Sequence, residues 1–154
     1  MRTEEFVLRG KTASDEVETL NFSGFKLGYA YKLIEFQIYP SIDVGNSQFE
    51  LTAAITAGKT AAVPNMPDFD DEGLIGSTYL IENGSSTAHP ASSITEHTVI
   101  NDTFLITQNL LLSVKDTGSG SPMPVNWQCR FMPVKMSGSE EAVANYKQFT
   151  ISDG

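Results

Sequence analysis

Between Gln48 and Thr56 the apolar residues fall on every second position: Phe49, Leu51, Ala53 and Ile55 share one side, and Glu50, Thr52 and Ala54 the other. That period of two belongs to a strand with one buried face and cannot serve a helix. Similar short runs recur along the chain, each closed by Gly, Pro, Asn or Ser, a spacing typical of an all-β sandwich or barrel. Further strands are expected at Glu5–Leu8, Thr19–Phe25, Tyr29–Tyr39, Ile75–Ile81, His97–Ile106, Asn109–Val114 and Val125–Met136. In two of them the apolar phase slips by one residue. Tyr29, Tyr31 and Leu33 give way to Ile34, Phe36 and Ile38; Val125, Trp127, Cys129 and Phe131 give way to Val134 and Met136, near Pro133. A slip of one residue turns every later side chain to the other face, so a bulge or a change of partner strand is expected after Leu33, and a bulge or an edge near Pro133.

One short helix is expected from Glu140 to Gln148. Ser137 and Glu140 have capping-box spacing, and Ala142, Val143, Tyr146 and Phe149 make an apolar stripe. The expected core includes Phe36, Ile38, Leu51, Ile55, Leu110, Leu112, Trp127 and Phe131. At 154 residues the chain suits one domain, 1–154, able to bury a core without a disulfide or metal.

The formal net charge is −9, and the ten Lys and Arg are scattered. Phosphate backbones are held by clustered basic side chains, so direct nucleic-acid binding is not expected. Cys129 is the single cysteine, which excludes an internal disulfide. No run of about 20 apolar residues is present to span a bilayer. The start Met1-Arg2-Thr3-Glu4-Glu5 lacks the apolar core of a secretory signal, so synthesis in a cytosol is expected. On that expectation the Asn-X-Ser/Thr triplets at Asn21, Asn83 and Asn101 stay unmodified.

Each fragment of known chemistry lacks a required partner. Gly-Lys-Thr occurs at Gly10 and Gly58, but a phosphate loop needs an earlier glycine where Glu5 and Ala53 stand; both copies are expected in exposed turns. Asp68, Asp70 and Glu72 alternate before Gly73 like the start of a calcium loop, yet the closing acid is replaced by Tyr79. They are the only metal candidates, and no cofactor is expected. His89 and His97 lack metal-pair spacing, and His97 with Asp102 lacks a nucleophile elbow, so catalysis is not expected. Cys129 is expected to be a buried apolar residue. Phe22, Phe25, Tyr29, Tyr31, Phe36, Tyr39 and Trp127 could line a sugar site, but their strand spacing makes them core residues first.

The segments Gly28-Tyr29-Ala30-Tyr31-Lys32-Leu33-Ile34-Glu35-Phe36-Gln37-Ile38-Tyr39-Pro40 and Val125-Asn126-Trp127-Gln128-Cys129-Arg130-Phe131, with Gly/Ser/Pro-rich loops between strands and a strand-to-helix close, resemble the single jelly-roll coat and accessory proteins of small viruses. The resemblance is one of architecture and carries no diagnostic motif. It implies an antiparallel two-sheet jelly roll that self-associates, joins other virion proteins and resides in the virion after synthesis in a host cytoplasm. Many such coats carry a basic genome-binding arm; its lack here implies an outer-shell, vertex or decorating role. The terminal segments Glu4–Leu8 and Tyr146–Ile151 are the expected subunit contacts. The alternative is a monomeric sandwich that binds a carbohydrate or receptor.

Overall fold

The computed structural model describes residues 4–22, 28–42, 48–83, 93–118 and 121–137, together with 143, 144, 147 and 151. Eight strands follow in chain order: β1 (Phe6–Thr12), β2 (Val17–Leu20), β3 (Tyr29–Pro40), β4 (Phe49–Ala57), β5 (Leu74–Asn83), β6 (Ser93–Ile100), β7 (Leu110–Asp116) and β8 (Val125–Lys135). They form two antiparallel sheets, one ordered β1-β8-β3 and the other β2-β7-β4-β5-β6, packed face to face as a sandwich. The pairing is nested: the first strand meets the last, β2 meets β7, and β4 meets β5. The remaining strands do not complete the series, because β6 pairs with β5 and not with β3.

Alternation explains which side chains face inwards. Across the smaller sheet the inward rows are Phe6, Phe131 and Leu33; Leu8, Cys129 and Phe36; and Gly10, Trp127 and Ile38. Phe49, Leu51, Ala53, Ile55 and Ala57 of β4 face them, flanked by Leu110, Leu112 and Val114 of β7. All eight expected core residues are buried. Phe6, Phe22, Tyr31 and Phe131 cluster at one end; Phe6 stacks on Phe131 at 5.5 Å and Phe22 meets Phe131 edge-on at 4.9 Å. Such aromatic pairs add about 0.5–1.5 kcal/mol each beyond the area they bury.

The phase slip in β3 is a bulge, with the β8 register shifting between Leu33 and Glu35. The slip near Pro133 is not. Here β8 continues in register with β3, Tyr31 facing Pro133 and Ala30 facing Val134. Tyr31 exchanges both backbone bonds with Ile106 (2.9 and 2.8 Å), so its backbone polar groups point away from β8. Pro133 therefore directs its missing donor away from β3, past the end of β1, where no ladder bond is lost.

Several expected boundaries move. Strand β1 runs to Thr12, so Gly10-Lys11-Thr12 lies inside a strand and not in an exposed turn; Gly58-Lys59-Thr60 is a bend in which Gly58 takes φ 135°. Strand β2 ends at Leu20; of the rest of the expected strand, Asn21 and Phe22 lie beyond its end and 23–25 lie outside the described residues. The expected strand His97–Ile106 is broken after Ile100. There Asn101 Oδ1 accepts from the N–H and hydroxyl of Thr103 at 3.2 and 2.7 Å, a side-chain turn that ends the extended run. Val143, Ala144, Lys147 and Ile151 are helical; the other positions of the expected helix lie outside the described residues. Val143, on the expected apolar stripe, is 69% exposed, and its neighbour Ala144 is buried.

Candidate functional site

The larger sheet is two strands wider than the smaller, and β5 and β6 both reach β3: Gly76 packs on Leu33 and Phe36, and Thr98 meets the Phe36 carbonyl. Beyond those contacts lies a cleft of about 1100 Å³, lined by residues from β1, β3, β5, β6 and β8. Gly10, Trp127 and Ile38 stand in one inward row beside it. A Cβ on Gly10 would lie 2.7 Å from the Trp127 ring, so only glycine lets the indole lie against β1. Trp127 Nε1 donates to the buried Thr12 hydroxyl at 2.9 Å, which fixes the ring and satisfies its donor.

At one end the two walls meet. Thr98 Oγ1 is 2.7 Å from Thr78 Oγ1 and donates to the Phe36 carbonyl at 3.4 Å. Glu96, on the same face of β6 as Thr98, lies along the cleft; Gln37, Tyr39, Asn126 and Gln128 border it from positions that alternate to the outward face of the smaller sheet, and Tyr39 is 61% exposed. Arg9 Nε donates to Gln128 Oε1 at 3.1 Å across β1 and β8. Arg130 bridges Glu35 at 3.1 Å on the outward face of the same sheet, opposite to Cys129. Amides, one tyrosine and a carboxylate can bond a neutral, hydroxyl-rich molecule. The described residues lining the cleft include no His, Ser or Cys.

The acidic loop is organised differently from the calcium expectation. Asp68 Oδ1 accepts from Asp70 N–H and Asp71 Oδ1 from Gly73 N–H, both at 2.9 Å. These carboxylates cap their own turns. Among the described residues no group of three His, Cys, Asp or Glu side chains is placed to hold a metal ion, so Asp68, Asp70 and Glu72 are not gathered into a site.

The other candidates are dispersed. His97 is exposed on β6, 6.0 Å from the Tyr79 ring, and Asp102 is exposed in the following turn; His89 lies outside the described residues. Cys129 is fully buried, and burial pushes its thiol pKa well above the ordinary value. Of the aromatics proposed for a sugar site, Phe22, Tyr31, Phe36 and Trp127 are buried and Tyr29 is half-buried; Tyr39 alone is exposed, and Phe25 lies outside the described residues. Of the expected terminal contact Glu4–Leu8, Phe6 is buried in its own subunit and β1 pairs with β8 at the edge of the smaller sheet, while Glu4 and Glu5 are exposed. Of Tyr146–Ile151, Lys147 is exposed and Ile151 half-buried against the core; the others lie outside the described residues.

Sequence reasoning missed Asp116. Its buried carboxylate accepts from the backbone N–H groups of Glu50 (3.3 Å), Gly118 (3.0 Å) and Met123 (3.0 Å), tying the β7–β8 loop to β4. The signal was present in Asp116-Thr117-Gly118, an Asp followed two residues later by glycine. Compared with protein-family models, with curated proteins and with solved structures, the chain has no significant match.

Proposed function

We propose that the chain is a self-assembling structural protein of a virus particle, a capsid or capsid-decorating subunit whose partners are copies of itself and other virion proteins. The observation that carries this reading is the nested strand pairing. A jelly roll pairs strands one with eight, two with seven, three with six and four with five, and it is an architecture of viral capsid and lectin domains. Three of those four pairs are present, and the missing one is replaced by the β5–β6 hairpin. Assembly has separate support in the β4–β5 loop. The loop closes over the outer face of the larger sheet, where the Ser113 hydroxyl donates to the Ala62 carbonyl at 2.9 Å. Along its length it holds Val63, Met66 and Phe69 at 50, 69 and 65% exposure. Exposed apolar side chains gathered on one loop mark a contact surface more often than a monomer's skin. Electron microscopy and light scattering of purified protein test the reading. Rings, shells or lattices are expected; a lone 16.8 kDa species at every concentration and salt would end it.

A second reading, a carbohydrate- or receptor-binding sandwich, is favoured by the cleft itself, with Glu96 along it and Gln37, Tyr39, Asn126 and Gln128 bordering it. A monomer that binds defined glycans on an array, and loses them with Tyr39→Ala, would support it over assembly.

A further inference from the structure

The four strands at the sheet margins are not equally protected. Strand β2 has only four residues. Strand β1 carries Arg9 and Lys11. Strand β3 is bulged after Leu33, bears Lys32 and Pro40, and is sealed at Tyr31 by Ile106. Short length, charged residues, proline and bulges are the devices that stop a strand edge from recruiting another strand. Strand β6 carries the single charge of Glu96 and none of the others. Its eight residues, Ser93-Ile94-Thr95-Glu96-His97-Thr98-Val99-Ile100, hold an unbroken register with β5 and include no Lys, Arg or Pro. All residues from Ile94 to Val99 are exposed, so both faces of this strand meet solvent, with Ile94 at 55% and Val99 at 41%. Apart from the half-buried Ile100 at its end and the Thr98 contacts with Thr78 and Phe36, the strand buries little of itself in its own subunit.

We propose that β6 is a self-complementary docking edge that pairs antiparallel with β6 of a second copy across a two-fold axis. This inference rests on the assembly reading and names one of its contacts. The ladder phase fixes which groups are free. Asn101 N–H donates to the Ile75 carbonyl at 2.8 Å, making that pair a hydrogen-bonded one. Alternation then turns the backbone groups of Val99, His97 and Thr95 towards β5, and those of Ile100, Thr98, Glu96 and Ile94 outwards. A two-fold axis normal to the sheet sets inward-facing residues opposite inward-facing residues. Centred on His97, it places Glu96 opposite Thr98 of the second copy, Ile94 opposite its Ile100, and Thr95 opposite its Val99. The outward backbone groups then form about eight new hydrogen bonds, and the exposed Ile94 and Val99 both gain neighbours. Centring on Glu96 would instead oppose two carboxylates, which is destabilising. The result is a sheet continuous through two subunits.

Two variants test the edge. His97 sits on the axis in a non-hydrogen-bonded pair, where opposed Cα atoms lie about 4.5 Å apart and can be bridged by a disulfide. His97→Cys should therefore oxidise to a covalent dimer on a non-reducing gel, whereas Cys129 is buried and gives none. Glu96→Pro removes an outward donor not used by β5 and should lower the oligomer mass in light scattering at least twofold, with the β circular dichroism spectrum kept. Should that variant misfold, Ile94→Lys puts a charge on the same edge without touching the backbone. An oligomer that survives these changes, with the His97→Cys variant staying unlinked, sinks the inference and leaves the assembly reading standing. A wild-type protein that is monomeric throughout sinks both.

Discussion

Replacing Asp116 tests how far one buried carboxylate organises the β7–β8 connection. The side chain is 3% exposed and receives three backbone N–H groups, two from the loop that follows it and one from β4. Asp116→Asn keeps one acceptor oxygen but turns an NH2 group towards at least one of those donors. A charge-assisted bond is lost and a buried N–H left unsatisfied, at a combined cost of about 2–4 kcal/mol. Asp116→Ala orphans all three donors, some of which regain water at the loop, for about 3–5 kcal/mol. In a chain of this length each kcal/mol lowers Tm by roughly 2–4 °C, so the alanine variant should melt about 6–20 °C lower. Urea titration followed by fluorescence reads the loss as a lower midpoint with an unchanged slope. If Asp116→Ala stays within about 1 kcal/mol of wild type, the carboxylate is not the organising group. Asp15→Ala is the contrast, since its ion pair with Lys115 at 3.2 Å is exposed and worth below about 1 kcal/mol.

Gly10→Val would drive a side chain into the Trp127 ring, and overpacking of this kind costs about 1–3 kcal/mol; a changed indole emission in the folded protein is the check. Cys129 is neutral in the folded state and free to ionise when unfolded, so stability should fall as pH rises above about 8.5, by up to about 1.4 kcal/mol per pH unit. Cys129→Ala should remove that slope, and an unchanged slope in the variant would refute its origin. A chelator should move Tm by less than about 1 °C, because Asp68 and Asp71 already cap their own turns; a larger drop, abolished by Asp68→Asn with Asp70→Asn, would reveal a bound cation.

Period-two patterning located the cores of most strands, and the phase slip at Ile34 foretold a bulge, because both are local consequences of side chains alternating across a pleat. What escaped depends on distant partners. Gly10-Lys11-Thr12 reads as a turn until Trp127, far along the chain, lies against the glycine and donates to the threonine. Val99, Ile100, Phe104 and Ile106 read as one strand because the Asn101 turn costs only three residues and the apolar residues resume beyond it. The cleft was invisible because its walls come from five strands of both sheets, which no single segment encodes.

The nested pairing also sets the order in which the molecule can be built. The β4–β5 and β5–β6 connections are local, so that half of the larger sheet can form while the chain is still emerging. The smaller sheet cannot, since Phe6 waits for Phe131 and Thr12 for Val125. Until β8 arrives, the inward face of β4 lies open to solvent and to other nascent chains. Contacts this remote are slow to close, and an exposed apolar sheet in the interval is an aggregation hazard. Trp127 enters its place against Gly10 only in that last step, so its fluorescence reports the closure of the sandwich rather than the first collapse.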